Sequence, residues 1–212
     1  ITAVAVRRRP RVAILATGAE IVPPERAIGP GQVRDFNSYT VAALVRRAGG
    51  EPGLGGSVPD NLERLRETAA AALAQADMLV LSAGSSVSVR DMTGQVIDAL
   101  GEPGVLLHGV ATRPGKPTIV GVADGKAVLG LPGNPVSAMV QFSMFGVPAI
   151  QHLLGLVQRP LQRSLWARVS ENIASESGRE DYVPARLEQG REGWTAVPVF
   201  GKSNLIYTLV RA

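Results

Sequence analysis

The chain has 212 residues, of which 45% are hydrophobic and 19% charged, and its formal net charge is +4. A globular chain of this length buries roughly 70% of its unfolded surface, so it folds without disulfides or structural metal, and its composition excludes a disordered tail. It contains no cysteine, which excludes disulfides, thiolate zinc sites, iron–sulfur clusters and Cys nucleophiles; His108 and His152 are too few for a His-rich metal site.

In chain order, Arg7, Arg8, Arg9 and Arg11 form a basic run that reads as an exposed approach to a strand. Aromatic residues make up 4%, too few for a nucleic-acid stacking platform, and no nucleic-acid partner is expected. Because the chain begins at Ile1 rather than Met, residues 1–10 are read as a linker from upstream domains of a longer protein. Arg11–Ala16 is a short apolar run, a buried strand that ends at Thr17-Gly18. Asn37 or Ser38 is expected to cap a helix through Val41, Leu44, Val45 and Ala48, stopped by Gly49-Gly50. Leu54–Val58 is a weak, Gly-rich strand. Asp60 and Glu63 resemble a capping box, with Asp60 as the cap of a helix bearing Leu65, Ala69 and Leu73 at helical spacing. Met78–Leu81 is another buried strand, Thr93–Leu100 a short helix and Val105–Val110 a strand in which His108 is packed or hydrogen-bonded near the sheet edge.

Thr118–Val122 and Lys126–Leu131 flank Asp124-Gly125, a hairpin signal because both residues accept the positive φ of a tight turn. The uncharged span Ala127–Leu156 is long enough to cross a membrane. Pro132, Asn134, Pro135, Gln141, Gly146 and Pro148 break it, so it reads as strand, loop and helix, and no membrane partner is expected. Ser137 is expected to cap that helix, which runs to about Leu154 with His152 as a structural residue. Residues 11–156 therefore predict a three-layer α/β/α domain with a mostly parallel sheet and a few antiparallel edge strands. Residues 157–212 change character. Arg163–Ile173, Tyr182–Glu188, Trp194–Phe200 and Tyr207–Arg211 read as strands of a small all-β domain, with Trp166 and Trp194 as packing residues and Arg179–Asp181 as a charged turn.

Ligands of an open α/β sheet bind beyond the carboxyl ends of its strands. Four such ends here lead into small, polar or proline-rich loops: Thr17 to Glu20, Ser82 to Asp91, Thr112 to Pro117 and Leu131 to Ser137. Each alone is readable as ordinary turn chemistry. Together they point to a ligand carrying phosphate or another oxyanion. Gly84, Ser85, Ser86 and Ser88 offer N–H groups and hydroxyls just before a helix, and Pro132, Gly133, Asn134 and Ser137 repeat the arrangement. Arg113 and Lys116 bring positive charge on a loop stiffened by Pro114 and Pro117 around Gly115. Glu20 and Asp91 are carboxylates suited to hold a hard divalent cation between phosphates, and Thr17, Gly18 and Ser82 complete the substrate-binding set.

At these residues the chain resembles the molybdopterin molybdenumtransferase family, the MoeA and gephyrin E-domain group. The resemblance rests on TGAEI (17–21), GPGQVRDFNSY (29–39), VPDN (58–61), HGVATRPGKP (108–117) and GLPGNPVSAMV (130–140), with SGREDYVPARL and GKSNLIYTLVRA near the end. It implies the family's last two domains, a molybdopterin-binding α/β domain and a β-barrel-like one. The implied activity is molybdenum cofactor biosynthesis: molybdate is inserted into adenylylated molybdopterin and AMP is released, with Mg2+ or another divalent cation, in a cytoplasmic homodimer that needs its N-terminal domains. Carried over, Asp91, Lys116 and Arg113 are the catalytic residues and Glu20 and Asp91 the metal-binding ones. The chain departs from the family pattern in three places. Ala19 stands for an Asp, Ser85-Ser86 for two glycines, and Arg90-Asp91 for a longer acidic segment. Arg90-Asp91-Met92-Thr93 is similar to a motif of molybdopterin adenylyltransferases. Adenylyl transfer, and a non-catalytic pterin- or molybdate-binding module, are the alternative functions.

Overall fold

The computed structural model describes residues 2–83, 87–156, 165–199 and Leu209. After the strand β1 (Arg11–Thr17) come two short strands, β2 (Ile21–Val22) and β3 (Val33–Arg34), the helix α1 (Asn37–Arg47), β4 (Glu51–Val58), α2 (Leu62–Ala74), β5 (Met78–Ala83) and α3 (Val87–Ala99). They are followed by β6 (Pro103–His108), β7 (Thr112–Arg113), β8 (Ile119–Ala123) and β9 (Lys126–Leu131). Helix α4 (Pro135–Gln141) passes through a π-helical turn (Phe142–Gly146) into α5 (Val147–Leu153). The strands β10 (Arg168–Val169), β11 (Glu180–Asp181), β12 (Ala185–Gly190) and β13 (Gly193–Pro198) follow.

Six strands form the central sheet in the order β4-β1-β5-β9-β8-β6. Neighbours from β4 to β9 are parallel; β8 runs antiparallel to both β9 and β6. The expected antiparallel edge is thus an interior strand, because the hairpin at Asp124-Gly125 returns β9 beside β8; both turn residues have positive φ, 49° and 81°. The sheet is covered on both faces, which explains its continuous apolar runs. Val12, Ile14, Met78, Val80 and Leu129 pack with Val41 and Val45 of α1 and with Ala138, Phe142 and Ile150 on one face. Leu15, Leu79, Leu81 and Val128 pack with Leu65, Ala69 and Leu73 of α2 and with Val96 and Ile97 of α3 on the other. The two stacks make the predicted three layers.

Several local expectations change. Helix α2 is capped by Asn61, whose side chain accepts the Arg64 N–H, and Asp60 is left for another task. Helix α1 has no side-chain bond from its N-cap, Phe36; instead the Asp35 carboxylate accepts the Ser38 N–H at 3.0 Å. Asn134, not Ser137, caps α4, and Pro135 occupies the first turn, where its missing N–H costs nothing. The expected helix runs without a break from Pro135 to Leu153, with a π turn in its middle. Helix α3 starts at Val87, so Arg90 and Asp91 lie in a helix and not in a loop. His108 is exposed at the end of the edge strand β6 rather than packed, and His152 is exposed as well.

In the C-terminal part, β10, β13 and β12 form a three-stranded sheet among the described residues. Trp166 is 95% exposed and is not a packing residue of it, whereas Trp194 is half-buried. The expected strand ends at 163–164 and at Phe200 lie outside the described residues, as does the strand at 207–211 apart from Leu209, which is helical. Among the described residues no helix is long and apolar enough to cross a membrane.

Candidate functional site

Parallel strands that share a register end together. Thr17 pairs with Val58 and Ala83, and Ser82 with Leu131, so the carboxyl ends of β4, β1, β5 and β9 lie along one edge of the sheet. The antiparallel β8 begins at that edge, with Ile119 beside Gly130, and β6 ends there, with His108 beside Ile119. The segment 109–118 joins these two strands and lies at the same edge. The loops at 17–20, 109–118 and 132–134 are therefore gathered as the spacing predicted. Gly84, Ser85 and Ser86 lie outside the described residues; Ser88 is in the first turn of α3.

Two buried side-chain amides join these loops. Asn37, at the start of α1, donates from Nδ2 to Ser82 Oγ at 3.0 Å and to the Gly133 carbonyl at 2.9 Å. It thereby ties the end of β5 to the loop after β9. Gln141, fully buried at the end of α4, donates from Nε2 to Thr112 Oγ1 at 2.9 Å and to the Pro114 carbonyl at 2.8 Å. At the other end of α4, Asn134 Oδ1 accepts from the backbone N–H of Ser137 at 3.3 Å.

The segment carrying Arg113 and Lys116 is held further at its base and on its flank. Gly109 N–H donates to Thr118 O, Val110 N–H to Lys116 O, and the buried Thr118 hydroxyl to Gly115 O at 2.6 Å. Gly115 has φ +115°, and a Cβ there would overlap the Gln141 amide, so no other residue fits. On the flank, β11 adds to β7: Glu180 N–H donates to Ala111 O and Tyr182 N–H to Arg113 O. The expected charged turn at 179–181 is thus a buttress. Asp181 accepts from Arg179 Nε at 3.0 Å, and its carboxyl is held below the ordinary value, first by the Ser175 hydroxyl and then by the charges of Arg179 and Arg113. Arg113 and Lys116 themselves are exposed, Gly115 is buried and Pro117 half-buried.

At the first loop, Thr17 is buried and Gly18 has φ +148°. Asp60 faces this loop: its carboxylate accepts from Thr17 Oγ1 and from Ala19 N–H, each at 3.4 Å. Ala19 replaces an acid in the sequence, yet a carboxylate from VPDN sits against its backbone. Glu20 is half-buried and turned back on Gly18, where a Cβ would lie 2.6 Å from Oε2. Asp91 is exposed on α3. Among the described residues no three His, Cys, Asp or Glu side chains gather closely enough to enclose a metal. Glu20 and Asp91 are still hard oxygen donors, which fits a Mg2+-like ion held by one or two carboxylates and completed by ligand oxygens and water.

Sequence reasoning passed over Asn37, Asp60, Gln141 and Glu180–Tyr182. The signal for Gln141 was present, as a long polar side chain among the apolar residues of α4, Ser137 apart. Asn37 and Asp60 were read as caps because both residue types are good caps.

The family described as a probable molybdopterin binding domain matches residues 13–152, and the MoeA C-terminal region (domain IV) matches residues 167–212. The sheet and its loops thus carry a domain of the molybdopterin-binding class. The molybdopterin molybdenumtransferase of Nostoc sp. is 40% identical over 183 residues, 85% of this chain and 42% of that protein. That of Staphylococcus epidermidis is 30% identical over 212 residues, 100% of this chain and 50% of that protein. The crystal structure of a molybdopterin biosynthesis MoeA protein from Pyrococcus horikosii matches with a TM-score of 0.79 at 36% identity, covering 97% of this chain and 49% of that one. The molybdopterin biosynthesis enzyme MoaB from a Thermus species matches with a TM-score of 0.52 at 21% identity, a likeness of fold alone. The chain belongs to the MoeA family, of which it carries the molybdopterin-binding domain and the C-terminal region. It spans about half the length of the curated relatives it matches.

Proposed function

We propose that this chain is the molybdopterin-binding part of an enzyme of molybdenum cofactor biosynthesis, one that inserts molybdate into adenylylated molybdopterin and releases AMP. The observation that carries this reading is the gathering, at one sheet edge, of the Arg113–Lys116 loop and the Pro132–Asn134 loop, both fixed by buried amides. A fixed loop loses little entropy when an anion binds, and preorganised donors stabilise charge without rearrangement. Arg113 and Lys116 hold negative charge on phosphate or molybdate. The backbone around Gly133 and Asn134, with Ser137, Thr17, Gly18 and Ser82, orients the pterin phosphate, and Gly84, Ser85, Ser86 and Ser88 belong to the same substrate-binding set. Glu20 and Asp91 hold a divalent cation, which when bound would neutralise the phosphate oxygens. The protein acts as a cytoplasmic homodimer with upstream domains, and residues 11–156 and 157–212 form its two domains in this chain.

A binding module without turnover is the second reading. It is favoured by the lack, among the described residues, of a three-acid group. The full-length protein decides between them when it is given adenylylated molybdopterin, molybdate and Mg2+. Molybdate-dependent AMP release, abolished by Lys116→Ala and by Asp91→Asn, is the expected result. Tight pterin binding with no AMP release establishes the module instead, and ATP consumption with molybdopterin establishes an adenylyltransferase.

A further inference from the structure

We propose that Gln141 is a positioning residue that sets the spacing between the two anion-binding loops, 112–117 and 132–137; the inference rests on the function proposed above. Gln141 is 0% exposed and sits on a helix whose buried residues Ala138 and Phe142 are apolar, with the buried Ser137 one turn before it. An apolar side chain there would meet the needs of the core. Instead Nε2 reaches Thr112 Oγ1 and the Pro114 carbonyl, while Oε1 stays buried with no hydrogen-bond partner. An unpaired buried oxygen costs stability, so the amide is poorly explained by packing alone. What it secures is the segment from 112 to 114, next to Arg113. The other end of the same helix carries Asn134 and Ser137. Helix α4 is therefore a strut about 10 Å long, at 1.5 Å per residue, with one loop fixed at each end. Gly115 completes the joint, since any Cβ would displace the Gln141 amide and with it the loop.

The test uses the full-length protein, with molybdate as the probe in calorimetric titration beside the AMP-release assay. Gln141→Met keeps the volume and removes both donors. It is expected to weaken molybdate binding about tenfold and to raise the KM for molybdate by a similar factor, with a smaller change in kcat and with thermal stability falling no further than the loss of two part-buried hydrogen bonds entails. Thr112→Val, which removes one acceptor at a half-buried position, is expected to give a change of the same sign and about threefold. A purely structural glutamine would lose that stability and leave molybdate affinity alone. Parental affinity in Gln141→Met, while Lys116→Ala still abolishes binding, overturns the inference and leaves the function intact. If Gln141→Met does not fold, parental affinity in Thr112→Val overturns it. A parent that neither binds molybdate nor releases AMP overturns both the function and the inference.

Discussion

The Arg8 guanidinium spans both oxygens of Asp77, 69 residues further along the chain, at 2.5 and 2.7 Å. Asp77 also accepts the Arg11 N–H at 2.8 Å, so one carboxylate fixes the approach to β1 beside the start of β5. The Arg8 hydrogen bonds, more than the Arg11 amide and the charge of Lys126, hold the Asp77 carboxyl below its ordinary value against a partial cost of burial.

A carboxyl lowered on folding contributes stability that is present above its unfolded pKa, about 3.9, and is lost as pH falls through the folded value. Asp77→Asn should therefore lower stability near neutral pH by roughly 1 kcal/mol, a figure kept small by solvent screening. Urea unfolding of parent and variant should differ at pH 7 and converge as the medium is acidified below the ordinary carboxylate range. Curves separated equally at both pH values would contradict the assignment.

Asn37→Ala removes the two donors that join Ser82 to Gly133. Leaving buried acceptors without partners should cost about 1–3 kcal/mol in unfolding experiments. Under the proposed function, molybdate-dependent AMP release by the full-length protein should fall by more than that destabilisation accounts for, because the loop at 132–134 loses its tie. The ratio of activity to folded fraction, measured at a temperature where the variant is fully folded, tests this.

Phe142 is among the largest fully buried side chains, and Trp166 is 95% exposed. Phe142→Ala should cost about 3–5 kcal/mol through lost transfer energy and a cavity. Trp166→Ala should change stability by less than about 0.5 kcal/mol. Equal effects in chemical denaturation would mean that the packing described for the two residues is wrong.

Asp181→Ala removes one of the two carboxylates, the other being Glu176, that hold Arg179 next to the β7–β11 pair. Hydrogen exchange should quicken at the Glu180 and Tyr182 amides, which donate to Ala111 and Arg113, while the central sheet keeps its protection. Under the proposed function, AMP release by the full-length protein should weaken in parallel. Unchanged exchange at these two amides would show that backbone pairing alone holds the flank.

Much of this molecule was readable from local chemistry. Met78–Leu81 is apolar on both faces because it lies inside a covered sheet, and Asp124-Gly125 turns as its residue types demand. The family motifs picked out the loops that meet at the sheet edge. What stayed hidden depends on partners far along the chain. Asp60 looks like a cap until the fold brings it to Thr17, 43 residues away. Gln141 looks like an interruption until Pro114 arrives beside it, and Glu180–Asp181 looks like a turn until β7 offers it an edge. Residue type announces what a side chain can bond with; only topology chooses the bond.

The pairing of β11 with β7 sets a practical condition on any attempt to transplant the pterin-recognising half into another carrier. Cutting after Leu156 would strip the Ala111 and Arg113 carbonyls of their donors and leave that stretch with a bare rim. A graft meant to keep the segment at 111–113 paired must carry Glu180–Tyr182 with it, or supply a foreign ribbon in the same orientation.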